Sequence, residues 1–172
     1  AFYNLGVLKM QSEPGNKKQQ MEYFLKAIEI DPDYADAHSN LASIYSSLKE
    51  NDRALMHIDR VLLVRPNDAI NLFNKGLILR KRRDFSNAIA CFKTARQHFP
   101  EPHIVDHEMG QTHYESGDLK SASAFFLLSV SERLSFSKGF LSLGKTFAEM
   151  GQVAKAKEAF RQAGNVTEAK QR

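Results

Sequence analysis

Cysteine is nearly missing: Cys91 is the only one in 172 residues, which excludes an internal disulfide framework and a cysteine-based zinc site. No apolar run approaches the ~18 residues of a bilayer-spanning helix, and the opening AFYNLGVLKM has neither the basic region nor the cleavage site of a secretory leader. Charge of one sign is also scarce. A net charge of +4 arises from lysines and arginines interspersed with acids, whereas nucleic acid would need a wider basic stripe with aromatic platforms. Catalytic signatures are lacking too, since no local Ser/His/Asp or Cys/His grouping, glycine-rich phosphate loop or carboxylate pair stands out. His103 and His107 lie four residues apart with Asp106 and Glu108 beside them, but no third and fourth metal ligand is evident. The expectation is a protein without enzymatic activity, cofactor or metal that binds neither nucleic acid nor membrane.

What is present is the composition of an ordinary soluble chain, 42% hydrophobic and 26% charged, large enough to bury a core. The sequence begins without Met inside an apparent helix, and so reads as a piece of something longer. A reducing, cytoplasmic setting is the expectation. NVT at 165–167 matches a glycosylation site only formally, since it matters only in a secreted chain.

A repeat decides the fold. Gly76, Gly110 and Gly144 recur every 34 residues, with Ala42 one period earlier, and Ala54, Ala88, Ala122 and Ala156 keep the same step. So do Phe24, Ile58, Phe92, Phe126 and Phe160, while Pro32, Pro66 and Pro100 close the first three units. Each unit divides into two amphipathic segments separated by a turn, at KENDR, RRDF, ESGDL and EMGQV. Small residues let the two helices of a hairpin approach closely, and the Phe/Ile column fills space between hairpins. One hairpin cannot bury its apolar face alone. Five stacked hairpins make a continuous core.

This 34-residue pattern resembles the tetratricopeptide repeat family over nearly the whole chain, most clearly in AHSNLASIYSSLKENDRALMHIDRVLLVRP and FLSLGKTFAEMGQVAKAKEAFRQA. The resemblance implies an all-α, right-handed α-solenoid of about five helix-turn-helix hairpins plus a short C-terminal helix. One domain over 1–172 is expected, with repeats at 1–34, 35–68, 69–102, 103–136 and 137–164. The tail 165–172 reads as a capping helix or the start of a further repeat, because Asn165 and Glu168 are spaced like a capping box.

Departures from the pattern carry their own expectations. Gly6 to Ala42 is 36 residues whereas Phe24 to Ile58 is 34, so two extra residues belong in QSEPGNKKQQ, a longer turn with Pro14 and Gly15. Lys75, Asp106 and His113 stand where the family usually has large apolar residues, which predicts weak packing there. Cys91 reads as a small core residue, and RKRR at 80–83 as a solvated turn that favours the helix C-terminal dipole.

The family resemblance places the first helix of each hairpin on the inside of a superhelix, and one column on that face is chemically distinctive. Asn4, Asn40 and Asn74 share a place in three successive units, continued by Glu108 and Ser142. A primary amide can satisfy both the N–H and the C=O of an extended peptide, and superhelical members of the family carry asparagine rows of this kind. The resemblance therefore implies a backbone-directed ladder. Around it, Ser43 is small and polar, Phe73, Leu77 and Ile104 offer an apolar anchor, His107, Glu108 and Gln111 are polar, and Lys138 and Lys145 are positive. A protein or peptide segment with hydrophobic anchors and acidic character fits such a lining.

The carboxylate clamp of chaperone-binding members is not matched. Its places hold Tyr3, Val7, Asn40, Ile70 and Asn74, or one unit later Ser39, Ser43, Asn74, Ile104 and Glu108, without the required cations. The expected function is a protein-interaction scaffold that binds an extended or helical partner segment in its concave groove. Two alternatives stay open: a substrate-recruiting arm of a larger enzyme such as a glycosyltransferase, and a module that stacks on itself or on subunits of an assembly.

Overall fold

The computed structural model describes residues 1–169; the end of the expected capping segment, 170–172, lies outside the described residues. Ten α-helices occur among the described residues: α1 Phe2–Ser12, α2 Lys17–Ile30, α3 Ala35–Ser47, α4 Asn51–Val64, α5 Ala69–Lys81, α6 Phe85–Arg96, α7 Pro102–Glu115, α8 Leu119–Glu132, α9 Ser137–Glu149 and α10 Val153–Ala169. Within the units they pair in sequence as hairpins, α1 with α2, α3 with α4, α7 with α8 and α9 with α10. The chain divides into two compact units, Ala1–Ile78 and the residues from Leu79 on, with the boundary inside α5.

The repeat columns have a direct steric meaning within the paired helices. A Cβ placed on Gly6 would lie 2.7 Å from the Phe24 ring, one on Gly110 2.7 Å from Phe126, and one on Gly144 2.6 Å from Phe160. The glycine is required because the aromatic ring of the second helix occupies the space in which a side chain would begin. The second hairpin reaches the same packing with a different pair, since Ala42 and the slimmer Ile58 are both buried in one cluster. Phe24, Ile58, Phe92 and Phe126 are at most 1% exposed, whereas Phe160 is 40% exposed.

Turns follow the sequence signals. Glu13–Asn16 is a four-residue turn with Pro14 and Gly15, where the later hairpins have three-residue turns. The Asn16, Asp84 and Asp118 side chains accept hydrogen bonds from the Gln19, Asn87 and Ser121 N–H groups and so cap α2, α6 and α8. One residue of each three-residue turn is left-handed: Lys49, Arg83, Gly117 and Gly151, with φ of 62°, 63°, 88° and 71°.

In the first unit the core gathers Phe24, Leu41, Ile44, Tyr45, Ala54, Ile58 and Ile78. Two buried histidines lie beside it. His38 Nε2 donates to the Pro32 carbonyl at 2.9 Å, so its Nδ1 is the acceptor for His57 Nδ1–H at 2.8 Å. The His57 ring stacks on Tyr45 with 5.4 Å between centroids. From Leu79 on, the core contains Ala122, Phe126, Val130, Leu143, Phe147, Ala156 and Ala159.

Three expectations are corrected. The weak packing anticipated at Asp106 and His113 is absent, because charge and stacking replace apolar contact. Asp106, 0% exposed, accepts two hydrogen bonds from Arg96, at 2.7 and 3.0 Å, and His113 stacks on Phe125 with centroids 5.3 Å apart. Lys75 likewise pairs with Asp59 at 2.7 Å. The RKRR run is not wholly a solvated turn, since the Arg80 side chain is only 15% exposed between two glutamates. The tail is no separate cap through its described residues: α10 continues through Asn165 to Ala169. Gly164 does not stop it, and Thr167 Oγ1 bonds back to the Ala163 carbonyl at 3.0 Å within the same helix. Cys91, a fourth, is half-buried and not the core residue expected.

Candidate functional site

The row is built on the first helices of the hairpins. In the first unit, Asn4 on α1 is exposed, while Asn40 on α3 and Asn74 on α5 are half-buried. Asn40 Nδ2 donates to the Asp36 carbonyl at 3.0 Å, one turn back on its own helix, which leaves its Oδ1 and second N–H without a bond among the described residues. Ser43 is exposed beside it, and Phe73 and Leu77 are half-buried on α5. A residue outside the predicted set joins two of these helices. Asn71, 1% exposed, donates from Nδ2 to Ser39 Oγ at 2.9 Å and to Asp68 Oδ1 at 3.1 Å.

From Leu79 on, the predicted residues belong to a connected polar network. Glu108, 8% exposed, is held by Arg80 at 2.8 Å, by Lys138 at 3.4 Å and by the neighbouring His107 Nδ1 at 3.4 Å. Burial tends to raise the pKa of the Glu108 carboxyl, but the His107 hydrogen bond and the charges of Arg80, His107 and Lys138 outweigh it and hold the group below its usual value. Arg80 also binds Glu115 at 2.8 Å, and Gln111 Nε2 donates to the same carboxylate at 3.0 Å. His107, 2% exposed, sits 3.0 Å from Ser142 Oγ through Nε2 and lies against Phe126 and Phe136. The Tyr114 hydroxyl donates to Glu149, and that bond raises the phenol pKa.

Gln111 and Lys145 meet Tyr114, Phe126 and Ser142 around a cavity of about 150 Å³. Ile104 is half-buried on α7, and Lys138 and Lys145 are exposed on α9. His107 was expected to line the groove, and Glu108 to continue the row; both are packing and pairing residues instead. A larger apolar cavity of about 560 Å³ lies on another face of α9, where Phe140, Leu143 and Phe147 meet Leu127 of α8 and Ala154 and Ala159 of α10. Among the described residues no three His, Cys, Asp or Glu side chains converge to hold a metal ion, and no helix is long and apolar enough to cross a membrane.

Sequence reading missed Arg80, Tyr114, Glu115 and Glu149. A signal for them existed. Arg80 and Glu115, His107 and Ser142, and Tyr114 and Glu149 are each 35 residues apart, one repeat plus one residue, so the period that aligns the columns also aligns hydrogen-bond partners on adjacent hairpins.

With glycine, alanine and aromatic columns in register along the sequence, comparison with known families gives one answer. Models described as tetratricopeptide repeat match residues 1–34, 23–56, 73–133 and 139–171. The chain belongs to the tetratricopeptide repeat family. Repeats of this family are protein-interaction scaffolds, and a general protein-binding role comes with the fold. The human protein O-mannosyl-transferase TMTC3 is 27% identical over 127 residues, 73% of this chain and 14% of that protein. The chain thus spans about one-seventh of that curated relative. MamA from Desulfovibrio magneticus has a TM-score of 0.89 at 16% identity, with 98% of this chain and 94% of that one covered. PilW, a type IV pilus biogenesis factor, has a TM-score of 0.82 at 25% identity, with 97% and 76% covered.

Proposed function

We propose that this tetratricopeptide repeat chain binds an extended or helical segment of a partner protein along its first helices, on the concave side that the family places there. The observation that carries the reading is the row Asn4, Asn40 and Asn74 on α1, α3 and α5 with amide groups open to a ligand. Each offers donor and acceptor atoms to a peptide backbone. Within the first unit Phe73 and Leu77 supply apolar anchors; within the second Ile104 does so, and Lys138 and Lys145 orient acidic residues of the partner. Gln111 adds a neutral polar contact, and Ser43 leaves room for the backbone to approach.

The test uses peptides selected from a random library against the 172-residue chain. Replacing Asn40 and Asn74 together by Ala is expected to weaken binding by ~1–3 kcal/mol, since each lost neutral hydrogen bond is worth ~0.5–1.5 kcal/mol. Helicity should stay unchanged by circular dichroism. Unaltered affinity in the double variant would remove the ladder.

A second reading is favoured by the likeness to TMTC3, whose name gives it a transferase activity. In that reading the repeats recruit substrate for catalysis encoded outside these residues. Fusing the row variants to a full-length transferase would separate the two: loss of turnover on protein substrates with activity on a small acceptor retained supports recruitment.

A further inference from the structure

The cavity between α7 and α9 differs from the rest of the polar network in one respect. Arg80 and Lys138 are both paired with Glu108, whereas the Lys145 ammonium, on the cavity wall, has no ion-pair partner among the described residues. Gln111 contributes a second donor, because only one of its two amide N–H groups is directed to Glu115. Phe126, 1% exposed, closes the floor with a ring that has no polar atom to offer. The Tyr114 hydrogen is committed to Glu149.

We propose that this cavity is a subsite for a single carboxylate side chain, aspartate or glutamate, of a bound segment. This deepens the groove reading and rests on it for the rest of the ligand. Its volume of about 150 Å³ suits one short side chain. The ammonium of Lys145 supplies the charge, and the Gln111 amide and the Ser142 hydroxyl supply direction.

The Ser142 hydroxyl is a donor whose aim is set by His107. A carboxylate only accepts, so the proton on Nδ1 faces Glu108 Oε1 at 3.4 Å, and Nε2 lies 3.0 Å from Ser142 Oγ and fixes where the hydroxyl sits. A ligand carboxylate in the cavity draws the Ser142 hydrogen toward itself. His107 itself is enclosed by its neighbours. Glu108 faces it from α7, Ser142 from α9, and the rings of Phe126 and Phe136 from α8 and the residue before α9. Arg80 and Lys138 stand behind Glu108, and His103 lies against Phe136.

The probes are N-acetyl-aspartate N-methylamide and its asparagine counterpart, titrated into the isotopically labelled 172-residue chain and followed by side-chain NMR of Lys145. The aspartate probe is expected to saturate, and the asparagine probe to bind about three- to tenfold more weakly. Lys145→Met should erase that preference, and Ser142→Ala should weaken the aspartate probe while Lys145 still responds. Equal affinity for the two probes, a preference that survives Lys145→Met, or no response at Lys145 would overturn the subsite. A single-residue probe does not need the asparagine row, so its silence would strike the subsite alone, and loss of the row's effect on long peptides would strike the groove reading alone.

Discussion

At the scale of residues, buried ionisable groups set how the protein responds to its conditions. Burial, followed by the charge of His38, lowers the His57 pKa from 6.5 to about 4. The unfolded chain therefore binds this proton more tightly than the folded one. Stability is complete above pH ~6.5 and declines as the pH falls toward the folded value, by about 2 kcal/mol at pH ~5. Thermal melts between neutral pH and that point should show the decline, and His57→Gln should flatten it. An equally steep decline in the variant would assign the effect elsewhere. Asp106 and Arg96 give a second residue-scale expectation. Arg96→Ala leaves a fully buried carboxylate unpaired and should cost about 3–5 kcal/mol in urea unfolding, whereas Asp106→Leu with Arg96→Leu should be neutral or stabilising. The sequence marked Asp106 as a departure from the family pattern, but its partner ten residues earlier, on the preceding helix, only emerges once α6 and α7 pack. His38 and His57 were opaque for the same reason, since a histidine in an amphipathic helix does not announce which ring it will meet.

At the scale of helices and turns, the sequence was most legible where backbone geometry restricts the choice of residue. The Gly–Phe columns register a ring lying on bare backbone, and the turn signals KENDR, RRDF, ESGDL and EMGQV each lie over a left-handed residue. Two of those turns use glycine and two do not. A non-glycine residue in that conformation carries a steric cost that glycine avoids. Lys49→Gly is therefore expected to stabilise the first unit by ~0.5–1 kcal/mol, read from the urea midpoint at unchanged slope; a lower midpoint would mean that the Lys49 side chain makes up for its backbone. The end of α10 was less legible. Asn165 and Glu168 have capping-box spacing, but spacing alone does not break a helix whose backbone bonds already continue from α10. Gly164, a weak helix residue, is carried along inside it.

At the scale of the whole molecule, the period says that hairpins stack but leaves open what the stack holds. Asn4, Asn40 and Asn74 were identifiable because their place repeats. The network around Glu108 was not, because its members change identity from one repeat to the next and are related only through partners one repeat away. That network separates two kinds of first-helix residue. His107, Glu108 and Arg80 hold hairpins together, while Asn40, Asn74, Gln111 and Lys145 have polar atoms without a bond among the described residues. If the amides of the row read a peptide backbone, a double-substitution cycle on a library-selected peptide reveals it: the backbone amide opposite Asn40 is replaced by an ester and affinity is measured against the unaltered chain and Asn40→Ala. The ester is expected to weaken binding by about three- to tenfold to the unaltered chain and to have no effect with Asn40→Ala. Independent, additive losses from the ester and from Asn40→Ala would contradict it.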